Sequence, residues 1–131
     1  MKILLKLLMV LVVALPLAGL WGCSGAQDAS VYGKENTEIT VGAGQTFTIG
    51  LEENPTTGYQ WTVTIADSIV ELTKDEYYQA KTDPQIVGSG GQRVLTFKGT
   101  QNGETTITLK YERSFEENST VETLVYHVTV E

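Results

Sequence analysis

From residue 39 onward, apolar and polar residues alternate with a period of two. Apolar side chains occupy every second position, and threonine fills many of the positions between them. This spacing places the apolar side chains on one face of an extended strand and leaves the other face to solvent. The alternating segments are residues 39–41, 47–51, 61–65, 95–97, 107–111 and 124–130.

The number and spacing of these segments predict an all-β fold. Six or seven short antiparallel strands, each with one wet face, indicate an immunoglobulin-like antiparallel β-sandwich of about seven strands. Residues 68–81 fit either a short helical turn or an irregular strand. The pair Asn102-Gly103 predicts a tight hairpin turn. We expect Trp61, on an early central strand, to anchor the core.

The first residues have the composition of a secretory signal. Lys2 and Lys6 precede an apolar run over residues 7–15, which Pro16 ends. The following Leu20-Trp21-Gly22-Cys23 resembles the bacterial lipoprotein box. That resemblance implies a signal peptide over residues 1–22, a lipidated Cys23 and a tether over residues 23–36, with a folded domain over residues 37–131.

An uncleaved transmembrane anchor over residues 3–20 is the alternative, although this stretch is barely long enough to span a bilayer. Both interpretations carry the folded domain across the cytoplasmic membrane. The lipoprotein interpretation leaves it secreted and lipid-anchored at the cell envelope, with the membrane as a partner through Cys23.

Composition and charge exclude several classes of function. The chain has 16 acidic and nine basic residues, a formal charge of −7 and a pI of about 4.6, which argues against nucleic acid as a partner. Its single cysteine and single histidine exclude an internal disulfide and argue against a zinc cluster or a catalytic triad. His127 falls on the outward face of the last strand. We therefore expect a protein that needs no metal or cofactor and is not an enzyme. We also expect it to be a monomer.

One connection between strands has a sequence that predicts a rigid tip. It reads Asn54-Pro55-Thr56-Thr57-Gly58-Tyr59, and we call residues 54–59 the hook loop. Proline fixes its own φ, the β-branched threonines have stiff χ1 angles, and glycine permits a sharp turn. A rigid loop needs little ordering on binding. An ordinary turn between two strands is the alternative.

Two further connections are candidate binding segments. Gly88-Ser89-Gly90-Gly91, the glycine loop, could let its backbone approach a partner closely, or it could be a plain flexible connection. Arg113-Ser114-Phe115, the arginine loop, pairs an arginine with an aromatic residue as interface anchors do, although Phe115 could equally pack at the edge of the core. If residues 68–87 make one net traverse, all three loops lie at one end of the sandwich, as antibody loops do.

These residues resemble the chagasin-like inhibitors of papain-type cysteine peptidases. The hook loop followed by Trp61 carries the resemblance, and the glycine loop with Phe97 matches the second motif of that family. The third family motif reads Arg-Pro-Trp, whereas this chain has Arg113-Ser114-Phe115. The resemblance covers residues 37–131.

The resemblance implies a reversible inhibitor without catalytic activity. Three loops at one end of the sandwich would block the active-site cleft of the peptidase, with Thr56 beside its catalytic cysteine and histidine. The glycine and arginine loops would grip either side. The alternative is a non-inhibitory adhesion or assembly module that uses the same end to bind a surface protein or glycan.

Overall fold

The computed structural model describes residues 30–81 and 88–131. The predicted signal peptide over residues 1–22, the lipidation site Cys23 and the first part of the predicted tether lie outside the described residues. In the described part of the chain, no helix is both long enough and apolar enough to cross a membrane.

Within the described residues, eight strands form two four-stranded sheets packed as a sandwich, which confirms the predicted all-β fold class. The strands are β1 (Val31–Tyr32), β2 (Glu38–Val41), β3 (Thr46–Glu53), β4 (Gln60–Ile65), β5 (Val70–Gln79), β6 (Gly91–Gly99), β7 (Gly103–Glu112) and β8 (Glu122–Val130). One sheet has the order β1-β3-β6-β5 and the other has the order β2-β8-β7-β4.

The two sheets are mixed rather than wholly antiparallel. Strand β1 pairs in parallel with β3, and β2 pairs in parallel with β8, whereas all other pairings are antiparallel. Alternation reports which side chains are buried and carries no information on the direction of a neighbouring strand. Strand β1 also falls within the predicted tether, so the chain begins to pack on the sandwich before residue 37.

The structure resolves the ambiguous segment and corrects the predicted hairpin. Residues 68–81 contain strand β5, whose pairing with β6 shifts register between Leu72 and Lys74. The Asn102-Gly103 hairpin was wrong, because β6 and β7 belong to different sheets and the connection crosses between them. Gly103 has a φ of 149°, and a side chain there would meet Ile69 at 2.7 Å.

The inward faces of the strands form one apolar core. Its largest fully buried side chains include Tyr126, Phe47 and Phe97, and the two phenylalanine rings stack at 5.3 Å. Trp61 is buried as predicted, with 4 % exposure, but it lies on the edge strand β4 rather than on a central strand. His127 is exposed, as its position in the alternation predicts.

The topology brings three connections to one end of the sandwich. Strands β3 and β7 end there and lead into the hook loop and the arginine loop, and β6 begins there at the glycine loop. We call this the loop end. The opposite end carries the β2–β3 and β6–β7 connections and the end of β8.

Candidate functional site

The hook loop is a single 3₁₀ turn with a cap at each end. Pro55–Thr57 forms the turn, and the side-chain oxygen of Asn54 accepts a hydrogen bond from the Thr56 N–H at 3.3 Å. Gly58 closes the turn in the left-handed region, with φ 84° and ψ −7°, and donates its N–H to the Pro55 carbonyl at 2.9 Å. Proline and glycine therefore impose the shape that the sequence predicts.

Both threonine hydroxyls of the hook loop are hydrogen-bonded within it. The Thr57 hydroxyl donates to the Asn54 carbonyl at 2.6 Å, and the Thr56 hydroxyl donates to the Asn54 side-chain oxygen. Both threonines are exposed. The tip thus presents two stiff side chains whose hydroxyl protons already have partners, which reduces the freedom that binding would remove.

The glycine loop lies against the hook loop. The Asn54 side-chain amide donates to the Gly88 carbonyl at 2.9 Å. Gly88 and Gly90 have φ angles of 84° and 75°, which glycine adopts without strain. Gly90 is buried, and a side chain there would come within 3.3 Å of the Glu53 carbonyl. The glycines permit close packing between the two loops, while Ser89 remains exposed.

Arg113 of the arginine loop holds the other side of the hook loop. Its Nε donates to the Thr57 carbonyl at 3.2 Å, and its guanidinium lies 4.5 Å from the centre of the Tyr59 ring. Such a cation–π contact adds to the hydrogen bond. Glu116 pairs with the same guanidinium at 3.1 Å. Arg113 therefore stabilises the hook loop through its contacts with Thr57 and Tyr59.

Phe115 is the most exposed large apolar residue in the described part of the chain, at 77 %. The alternative that it packs at the edge of the core is wrong. Its ring lies over Gly58, since a side chain added to that glycine would meet the ring at 3.1 Å. Ser114 beside it is also exposed. An aromatic ring held beside the hook tip is suited to act as an anchor in an interface.

Sequence reasoning missed three residues that support this surface. Tyr111 accepts a hydrogen bond from the Asn54 N–H at 3.1 Å, and its ring lies 4.9 Å from that of Trp61. Glu53 and Arg93 form an ion pair beneath the hook loop, with a separation of 3.2 Å. Tyr111 alternates as an ordinary core residue, and only the three-dimensional contacts reveal its second role.

The surface at the loop end is suited to binding. Within residues 30–81 and 88–131, no three His, Cys, Asp or Glu side chains are grouped so as to hold a metal ion. The three loops instead present exposed hydroxyls, backbone and one aromatic ring on a hydrogen-bonded base. Such an arrangement fits a contact surface for another protein.

Known sequences match most of this chain. The sequence profile of the Chagasin family peptidase inhibitor I42 matches residues 40–130. The chain is 36 % identical to Amoebiasin-1 of Entamoeba histolytica over 96 residues, which cover 73 % of this chain and 92 % of that protein.

Solved structures share the fold. The crystal structure of the cysteine protease inhibitor EhICP2 from Entamoeba histolytica is similar with a TM-score of 0.71 and 24 % identity, covering 79 % of this chain and 96 % of that one. The structure of PbICP-C in complex with falcipain-2 is similar with a TM-score of 0.58 and 20 % identity, covering 79 % and 100 %.

Proposed function

The chain belongs to the chagasin family of peptidase inhibitors, and we propose that its loop end is the surface that blocks papain-type cysteine peptidases. The family is one of peptidase inhibitors, so the protein is not an enzyme. We further propose that it acts as a monomer and reversibly, through non-covalent contacts alone.

The observation that carries this proposal is the joining of three loops into one surface. Asn54 ties the hook loop to the glycine loop, and Arg113 ties it to the arginine loop. A surface formed in the free protein needs little ordering when it binds. It can therefore reach high affinity over an interface of ordinary size, about 1,600 Å² in total.

The shape of the hook loop explains how it could occupy a peptidase cleft without being cleaved. Pro55–Thr57 is wound into a 3₁₀ turn, and Gly58 reverses the chain in a left-handed conformation. A peptidase cleaves a substrate segment that lies extended in its cleft, and this turn cannot extend without breaking its own hydrogen bonds. Thr56, at the exposed tip, would enter first, as the family resemblance implies.

Titration of the purified protein against papain and several related peptidases tests the proposal, with a serine peptidase as the control. We expect tight, reversible inhibition of papain-type enzymes, with a dissociation constant in the nanomolar range (about −12 kcal/mol), and none of the serine enzyme. Mass spectrometry after long incubation should find the hook loop intact. A folded protein that inhibits no papain-type peptidase would contradict the proposal.

We also propose that Cys23 carries a lipid that holds the protein at the cell envelope. The run Leu20-Trp21-Gly22-Cys23 supports lipidation. The direction of β1 supports an outward orientation of the inhibitor surface. Strand β1 runs parallel to β3 and therefore toward the loop end, so the chain enters the sandwich from the opposite side.

Six residues, 24–29, separate Cys23 from Ser30, the first described residue, which makes seven steps from one Cα atom to the next. Fully extended, they reach at most about 25 Å. The loop end would then face away from the membrane and meet peptidases that arrive from outside. Labelling cells with a fatty acid should mark the wild-type protein and leave Cys23→Ala unlabelled. Absence of label on the wild type would refute the anchor.

A further inference from the structure

Glu53 is a fully buried carboxylate at the start of the hook loop. It is the last residue of β3, and its side chain has 0 % exposure. A buried charge is strongly unfavourable unless hydrogen bonds and an opposite charge compensate it. Both kinds of partner are present, one at each oxygen of the carboxylate.

The first partner closes the hook loop. The Oε2 atom of Glu53 accepts the backbone N–H of Trp61 at 2.9 Å. These two residues flank the loop, and their strands, β3 and β4, belong to different sheets. No β-ladder therefore holds the two ends of the loop together. A second hydrogen bond also joins the two ends of the loop, because the indole N–H of Trp61 donates to the Glu52 carbonyl at 2.9 Å.

The second partner links the carboxylate to the glycine-loop side. Arg93 on β6 donates through Nη1 to Glu53 Oε1 at 3.2 Å, and through Nη2 to Asp75 of β5 at 2.9 Å. Burial opposes the charge on Arg93, but the carboxylates of Asp75 and Glu53 outweigh it, so the pKa of Arg93 is raised. In the β3–β6 ladder Glu53 is paired with Gly91, the last residue of the glycine loop.

We infer that Glu53 is a positioning residue for inhibition, whose carboxylate fixes the separation of the two ends of the hook loop and ties them to Arg93. The inference rests on the proposed inhibitory function. Glu53 lies beneath the surface and acts through the hook loop, which would make the contact with the peptidase.

A carboxylate at position 53 can accept hydrogen bonds from both partners, whereas an amide of the same size cannot. Both oxygens of Glu53 accept hydrogen bonds, one from Trp61 and one from Arg93. Glutamine offers a single acceptor, and its NH₂ group would face another donor in either orientation. Glu53→Gln therefore loosens one of the two ties while leaving the packing volume nearly unchanged.

Rate constants for association with papain and dissociation from it give the first test. A loosened hook loop spends less time in the binding conformation, and the affinity falls in proportion to the fraction of molecules in that conformation. We expect Glu53→Gln to slow association roughly tenfold, with a smaller change in dissociation. The matched control is Glu71→Gln, at an exposed position near the start of β5 and away from the loop end, which should stay within about twofold of wild type. Equal association rates for Glu53→Gln and wild type would overturn the inference.

Amide hydrogen exchange in the free protein separates positioning from general stabilisation. The reporters are Thr57 and Gly58 in the hook loop, and Gly44 and Gln45 at the opposite end, all with hydrogen-bonded N–H groups. A purely structural role would speed exchange equally at both ends. We expect Glu53→Gln to speed exchange mainly at Thr57 and Gly58, and a uniform increase would overturn the inference.

A second variant covers the case in which Glu53→Gln does not fold. Asp75→Asn weakens the hold on Arg93 at its exposed end and leaves Glu53 in place, so we expect a smaller rise in exchange confined to the hook loop. Wild-type exchange in Asp75→Asn would count against the inference. Hydrogen exchange is measured on the free protein, without a peptidase. A failure of the wild-type protein to inhibit would therefore reject the proposed function without affecting the exchange result for Glu53.

Discussion

The side-chain amide of Asn54 donates to the carbonyl of Gly88 at 2.9 Å and thereby joins the hook loop to the glycine loop. The oxygen of the same amide accepts the N–H of Thr56 and caps the 3₁₀ turn. One side chain thus shapes the hook loop and holds it against its neighbour. Replacement by residues that keep only one of these bonds separates the two roles.

Asn54→Asp keeps the capping oxygen and replaces the donor with a second oxygen that faces the Gly88 carbonyl. We expect inhibition to weaken roughly tenfold and the unfolding free energy to fall by about 1 kcal/mol. Asn54→Ala should weaken inhibition further, because it also removes the cap, which is worth about 0.5–2 kcal/mol. Inhibition assays and urea unfolding measure both effects. Wild-type inhibition by Asn54→Asp would show that the link between the loops is unimportant.

Thr56→Arg tests whether the hook tip enters the cleft. Thr56 is exposed, and its hydroxyl bonds only locally to Asn54, so a larger side chain should leave the fold intact. We expect the unfolding free energy to change by less than about 0.5 kcal/mol and inhibition to be lost. The control is Thr40→Arg, an exposed position on β2 toward the opposite end. If Thr56→Arg inhibits as well as wild type, the tip does not enter the cleft.

The fold was predictable where the signal is local. Phe47, Ile49 and Leu51 alternate along β3 and are all buried, because burial on one face of a strand depends only on the spacing of its own residues. The partner of a strand depends on distant residues. The Asn102-Gly103 pair therefore suggested a hairpin, although β6 and β7 pair with strands elsewhere.

In the candidate site, too, the local features were predictable from the sequence and the contacts between distant residues were not. The motifs located the hook, glycine and arginine loops, because turn residues show in the sequence itself. Glu53 and Arg93 were missed, since 40 positions separate them in the chain. A signal did exist for Glu53: it continues the inward positions of Ile49 and Leu51. A charged residue in the buried phase of a strand indicates a buried ion pair, and the partner then has to be sought in the structure.

Phe115→Ala tests the arginine loop as an anchor. The ring is exposed and touches Gly58 at the hook, so its removal should change the unfolding free energy by less than about 0.5 kcal/mol. If the ring packs on the peptidase, we expect inhibition to weaken roughly 10- to 30-fold. Phe115→Trp should inhibit at least as well as wild type, because it offers more apolar area. Val125→Ala, an exposed apolar position on β8, is the control for loss of apolar surface.

The buried phenol of Tyr126 makes the stability of the sandwich depend on pH in the alkaline range. The Tyr126 ring is fully buried, and its hydroxyl donates to the carbonyl of Gly33 at 3.0 Å. Burial, together with the charge of Glu122, raises the pKa of Tyr126 from 10.0 to about 12. The folded protein therefore holds the phenol proton more tightly than the unfolded chain does. This contribution to stability is fully present below pH 10 and is lost as the pH rises from about 10 to 12.

Urea unfolding at several pH values between 8 and 12 measures this loss. We expect the unfolding free energy of the wild type to fall by about 2 kcal/mol more than that of Tyr126→Phe, since each unit of pKa shift corresponds to about 1.4 kcal/mol. The phenylalanine variant retains every other titrating group and loses only the hydroxyl. Its unfolding free energy below pH 10 should be lower by about 1 kcal/mol because the bond to Gly33 is absent. Parallel pH profiles for the two proteins would show that Tyr126 ionises equally well in the folded and unfolded states.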